Sequence, residues 1–156
     1  MGSLCKEIVT RAGPDDVWSA IRDIGALHTR LVPGFVTDTR LAPGARIVTF
    51  GNGMVLREPI VAVDDDARRL VWSAEGGPFT HYNASLQVFA ECGGAARVVW
   101  IADFLPDEVA DNQLPAHALG GTGIGGAFNP SAMSSPQLTF TLPDGRTITA
   151  LRQRKA

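Results

Sequence analysis

"HYNASLQVFAECGGAARVVWIADFL", residues 81–105, decides the fold. Two runs of alternating apolar and polar residues flank "ECGGA", a glycine-bearing break far too short for a crossover connection, so they read as an antiparallel hairpin. Tyr82, Ala84, Leu86 and Val88 share one face of the first arm. Val98, Trp100, Ala102 and Phe104 share one face of the second. The opposite face carries Asn83, Ser85, Gln87 and Asp103, the mixture expected of a sheet with one wet side.

The same pattern extends upstream. "FVTDTRLA", "ARIVTF", "MVLREPIVAVD" and "RRLVWSA" are strand runs, separated by "PG", "GNG" and "DDAR", and "EGGPFT" leads from the last of them into residue 81. Leu70 and Trp72 share a face, with Ser73 on the other. Before this meander, "LCKEIVTRA" reads as an opening strand and "GPDDVWSAIRDIG" as a short amphipathic helix. Pro14 suits its first turn, Asp15 and Asp16 complement the positive end of its dipole, and Val17, Ile21 and Ile24 fall at i, i+4, i+7 before Gly25 closes it. "ALHTRLVPG" adds a helical turn that Pro33 and Gly34 stop. The expectation is an α+β domain built on about seven antiparallel strands, and one short helix is too small to cover its apolar face.

Composition narrows the function classes. A chain of 156 residues is most simply one domain, able to bury roughly 70% of its unfolded surface. Its 45% hydrophobic and 19% charged content is that of a globular protein. The formal net charge of −2, with no basic run before the terminal "LRQRKA", argues against nucleic acid as a partner. "MGSLCKEIVTRAG" lacks a signal-type apolar core and no stretch approaches the roughly 18 apolar residues of a membrane span, so a cytoplasmic protein without membrane insertion is expected. Cys5 and Cys92 are isolated and read as reduced thiols; His28, His81 and His117 lack ligand spacing, so no metal is expected. No Ser-His-Asp or Cys-His arrangement is readable. The acidic runs at 15–16 and 64–66 sit in a helix cap and a turn, where their role is structural.

The order of these elements carries a family resemblance. "DDVWSAIRDIGALHTRLVPGF", "PGARIVTFGNGMVLREPIVAVDDDARRLVWS", "GGPFTHYNASLQVF" and "ARVVWIADFLP" follow one another as in the START-like (SRPBCC) superfamily, which includes the bacterial polyketide cyclase/dehydrase and lipid-transport group and the Bet v 1-type proteins. The resemblance spans residues 4 to about 110 and rests on the succession rather than on any single motif. It implies a helix-grip fold, a curved antiparallel sheet around a long C-terminal helix, with a cavity for a small apolar or aromatic molecule. Fold alone supplies no reaction.

Several residues are candidates for that cavity. Glu58 in "LREPI" alternates with Leu56 and Ile60, so its carboxylate points toward the apolar side, where it is a candidate acid, base or ligand anchor; pairing with a cation such as Arg46 is the structural alternative. Tyr82 is the stronger cavity candidate beside His81, which by strict alternation faces outward, although both are candidate proton-transfer groups. Trp72, Trp100 and Phe104 are candidate walls for a flat ligand, or plain core. His28 lies where the resemblance implies a cavity entrance. Two uses of such a site stay open, ligand binding and proton-transfer catalysis of cyclase or dehydratase type, beside a third reading as a non-catalytic dimerising module.

Residues 111–156 form an atypical C-terminal segment of the same domain. "PDEVADNQLPAHAL" begins as a helix but meets Pro115 and then Gly120. In "HALGGTGIGGAFNP", Gly121, Gly123 and Gly126 satisfy G-x-G-x-x-G, but no strand precedes them, no helix follows, and Asp144 lies in a hairpin turn, so no nucleotide cofactor is expected. "QLTFTLPDGRTITAL" reads as a hairpin, with Leu138, Phe140 and Leu142 on one arm and Ile148 and Ala150 on the other around Pro143-Asp144-Gly145. A Gly-rich connector and a hairpin thus stand where the resemblance expects the gripping helix. The accounts that stay open are strand addition in this chain or a homodimer, partial closure by a short helix over 107–119, and a shifted reading frame or artificial junction.

Overall fold

The computed structural model describes residues 1–106 and the backbone of two short strands beyond them. Strands β1 (Gly2–Thr10), β2 (Val36–Ala42), β3 (Ala45–Phe50), β4 (Val55–Asp64), β5 (Arg69–Ser73), β6 (His81–Ala90) and β7 (Ala96–Leu105) form one antiparallel sheet in the order β1-β7-β6-β5-β4-β3-β2. Every expected strand is present, and the N-terminal one returns to pair with β7 from Gly2↔Phe104 to Thr10↔Ala96. The hairpin quoted at the outset closes in unbroken register from His81↔Leu105 to Ala90↔Ala96. Pro43-Gly44 links β2 to β3, Gly44 taking the left-handed conformation (φ +63°) that the tight turn needs. Register shifts between Val36 and Asp38 and between Ile60 and Ala62 bend β2 and β4. Such bulges add local twist and curl the sheet.

One face of that curve is the core. Leu4, Ile8, Leu70, Leu86, Val88, Val98 and Ala102 are buried on it, against α1 (Pro14–Arg22) and a π-helical turn at Leu27–Leu31. Helix α1 inserts Val17 and Ile21, both almost inaccessible. It ends at Arg22, short of the expected Gly25, and Ile24 packs from the loop beyond it.

The β4–β5 turn holds this helix at both ends. Arg68, itself in left-handed backbone (φ +45°), donates from Nη2 to Asp15 Oδ1 at 2.8 Å near the helix start. Asp65 accepts from Trp18 Nε1 at 3.0 Å and Arg22 Nη2 at 3.0 Å near its end. The Arg22 hydrogen bond is the main reason the Asp65 carboxyl sits below its ordinary value, with Trp18 next. Asp15 and Asp65 thus have structural partners within the two acidic runs, and so does Asp64, whose Oδ1 accepts from the Ala67 amide at 2.8 Å.

Beyond residue 106, Thr139–Thr141 (β8) and Thr147–Thr149 (β9) pair antiparallel, with Phe140 opposite Ile148, as a sheet of their own. They lie in the two arms of the expected hairpin, whose turn at Pro143-Asp144-Gly145 is outside the described residues; among the described residues they are not joined to the seven-stranded sheet. The helix expected over 107–119, His117, the glycines at 121, 123 and 126 and the proposed dimer contact lie outside the described residues. None of the helices among the described residues is long and apolar enough to cross a membrane.

Ile21→Ala is expected to destabilise the protein by about 2–5 kcal/mol through the cavity it leaves. Asp65→Asn, at a solvent-screened ion pair, is expected to shift the urea midpoint far less. Comparing both variants by urea titration checks which contact holds α1 down.

Candidate functional site

The register aligns three inward-facing rows. In the first, Arg46 stands opposite Glu58. The Arg57–Glu75 bridge continues the register of Ile60↔Trp72 and so sets Ala74 beside Glu58. The Ala74 amide donates to the Tyr82 carbonyl (3.3 Å), Tyr82 faces Phe104, and Phe104 faces Gly2. A Cβ on Gly2 would lie 2.6 Å from the Phe104 ring, so the bare glycine is what lets that ring approach β1. The second row runs Ile60, Trp72, Ala84, Ala102, Leu4, and the third Leu70, Leu86, Trp100, Lys6.

Small and large residues stand side by side in these rows: Ala74 lies between Glu58 and Tyr82, and Ala84 and Ala102, both buried, lie between Trp72 and Leu4. Trp72, Trp100, Tyr82 and Phe104 are the aromatic members of the face, with the Phe79 ring tilted against Tyr82 at 4.8 Å between centroids.

The polar end of the first row is an ion pair inside the core. Arg46 Nε donates to Glu58 Oε2 at 2.6 Å, the two side chains being 3% and 8% exposed, and the guanidinium lies over the Trp72 ring at 5.4 Å. Burial pushes the Glu58 carboxyl above its ordinary value. The charge and hydrogen bond of Arg46 pull it back without cancelling that rise, as does the close approach of the Trp72 indole. That approach stops short of hydrogen-bond geometry, and among the described residues Trp72 Nε1 is buried without a partner. Tyr82 is raised above the ordinary phenol value by burial first and by the Glu58 charge second. The Glu58 charge thus acts on the phenol across Ala74.

Each candidate now has a place. Glu58, Trp72, Tyr82, Trp100 and Phe104 come together on the inner face. His81 does not: it is exposed, on the side of β6 opposite Tyr82, because alternation turns it outward. His28 sits in the π-helical turn that packs on β2 and α1, with Nδ1 buried and unpartnered among the described residues, away from the Glu58 row. Lys6 is a member of the inner face that the candidates omitted, partly buried opposite Trp100; its alternation with Leu4 and Ile8 is the signal that identifies it. Thr39, inward on β2 with a hydroxyl unpartnered among the described residues, is another. Among the described residues no group of His, Cys, Asp or Glu is arranged to hold a metal ion.

The ion pair has two measurable consequences. Arg46→Ala strands a buried carboxylate and is expected to cost about 3–5 kcal/mol, whereas Arg46→Met combined with Glu58→Leu recovers most of that loss. Urea titration of the single and double variants reads the difference. Because folding raises the Glu58 pKa, its contribution is fully present below the ordinary value of 4.5 and is lost as pH rises through the folded value. Stability should therefore fall over that window in the wild type, and Glu58→Gln should flatten that part of the curve.

Comparison with known proteins agrees with this architecture. The sequence profile of the family described as polyketide cyclase / dehydrase and lipid transport matches residues 1–128. A putative uncharacterized protein from Bacillus thuringiensis superposes with a TM-score of 0.71 at 19% identity, over 82% of this chain and 97% of that one. The di-domain ARO/CYC BexL from the BE-7585A biosynthetic pathway gives 0.67 at 15% identity, over 90% of this chain and 50% of that one. A START superfamily protein from Mycobacterium smegmatis gives 0.61 at 15% identity, over 79% and 97%. No curated protein sequence matches. These structural likenesses establish the helix-grip fold, and the profile match over most of its length establishes that the chain belongs to the polyketide cyclase/dehydrase and lipid-transport family.

Proposed function

We propose that the inner face of the sheet binds a small apolar or aromatic molecule, with Trp72, Tyr82, Trp100 and Phe104 as its walls and the Arg46–Glu58 pair at its polar end. The observation that carries this reading is the gathering of Trp72, Tyr82, Trp100 and Phe104 on one face of the sheet beside a buried ion pair. A mostly apolar recess with a few convergent polar groups is the usual form of a small-molecule site. The family's description names both cyclisation and lipid transport, and a neighbour of the same fold is an ARO/CYC protein. Both descriptions fit a hydrophobic ligand.

A second reading, proton transfer on such a ligand, is favoured by the Glu58 carboxyl. A carboxyl that holds its proton above the ordinary range, one small residue away from a phenol, suits general acid or base work.

Native mass spectrometry, together with uptake of 1-anilinonaphthalene-8-sulfonate, tests the binding reading. One dye or ligand per chain is expected, with affinity reduced at least tenfold in Trp100→Arg. No uptake by a folded wild-type protein would falsify it. For catalysis, Glu58→Gln is expected to abolish turnover of a bound substrate while leaving its affinity within a few fold. Equal loss of both would leave binding alone.

A further inference from the structure

The side of the sheet turned away from the core carries a band without charge. Val71 and Ser85 point outward by alternation, yet they are 7% and 8% exposed, and neither belongs to the core cluster on the inner face. Register sets them in one row that runs Cys5, Ile101, Ser85, Val71, Ala62 across β1, β7, β6, β5 and β4. No member of that row is ionic, and Ile101 stands 41% exposed in it next to an exposed Cys5. The outer face of a half-wet sheet is ordinarily polar, so an uncharged band across five strands marks a surface that can be covered.

The rows that flank the band supply the complement. On one side lie Glu7, Val99, Gln87 and Arg69, and on the other Ser3, Asp103, Asn83 and Ser73, each in the strand order β1, β7, β6, β5. The charges of the first row stand at its two ends. The Glu7 side chain is 55% exposed and touches Arg97 at 3.2 Å, while Arg69 is exposed and makes no ion pair among the described residues.

Such a face is complementary to itself. A twofold axis parallel to the strands, between β6 and β7, carries β1 of one copy over β5 of the other and β7 over β6, and keeps every row in place. Glu7 then meets the partner's Arg69, and Arg69 meets the partner's Glu7. Cys5 falls over the partner's Val71, Ile101 over the partner's Ser85, and Asp103 over the partner's Asn83. Asp64, the acid opposite Arg69 on β4, falls beyond the β1 edge of the other copy, so it opposes no charge. Sheets stack face to face in this manner about 10 Å apart.

We infer that the outer face of β1, β7, β6 and β5 docks a second copy of this chain, back to back about that axis, with reciprocal Glu7–Arg69 pairs beside the uncharged band. The inner face stays free in both copies, so this inference stands apart from the ligand reading. Four strands by seven residues give on the order of 400 Å² of face per copy, the low end for a specific pair, so the dimer is weak and reversible. Charge complementarity selects the partner and the alignment.

Sedimentation velocity of the full chain, at about 10 to 500 µM protein and low salt where surface charges are least screened, is expected to show a monomer–dimer equilibrium. Glu7→Arg and Arg69→Glu each oppose like charges twice in the pair, and each should weaken association at least about tenfold. Both sites are exposed, so the circular dichroism of either variant should match the wild type. Mixed in equal amounts, the two variants complement one another at both contacts, and the mixture should regain the wild-type average mass; a chain carrying both substitutions should dimerise by itself. A wild type that stays monomeric over the whole range overturns the inference. So do single reversals that leave association unchanged, the result expected of a contact elsewhere on the chain, and a mixture no more associated than its components.

Discussion

Side-chain alternation in an antiparallel sheet whose register runs without a break from β5 to β1 is the constraint on which the rest of this structure depends. A one-residue slip anywhere in that ladder would turn the inner face outward. The ten-residue strands β6 and β7, paired along their whole length, are the longest stretch of that ladder. They put Tyr82, Leu86, Trp100 and Phe104 on one side together. From that single choice follow the buried face, the need for α1 to cover part of it, and the gathering of Trp72, Tyr82, Trp100 and Phe104 on one side.

The Arg46–Glu58 pair is the local exception to an otherwise apolar interior. Desolvating two charges is expensive, and their mutual attraction offsets it only when geometry is good. Here a short hydrogen bond and an indole face under the guanidinium supply that geometry. A hydrophobic pair of similar volume would serve stability as well or better. Stability alone therefore does not call for a charged pair at this position.

Much of this was legible in the sequence. Alternation alone sets the bounds of β7 at Ala96–Leu105 and the common face of Leu70 and Trp72, because both depend on neighbours one or two residues away. The inward turn of Glu58 is equally local. The facts that escape a linear reading are those created by pairing. That Glu58 and Tyr82 face each other across Ala74 depends on the register beside the β4 bulge. The bond from Trp18 to Asp65 joins residues 47 apart in the chain. Lys6 is a different case, since its inward direction follows from the spacing of Leu4 and Ile8, and an opening strand read for its faces would have shown it. His81 illustrates the converse: adjacency to Tyr82 in sequence means opposition in a strand.

The two alanines paired in the middle of β6 and β7 also bear on how such a protein can diverge. Ala84 and Ala102 sit opposite one another in the ladder, 1% and 0% exposed. A larger side chain at either has to displace a neighbour on the inner face, while every ladder hydrogen bond stays available. The sheet is thus a fixed frame whose relief changes by coupled exchanges: a bulkier residue at one position calls for a smaller one beside it, so descendants of one sequence would reshape this face by paired rather than single substitutions.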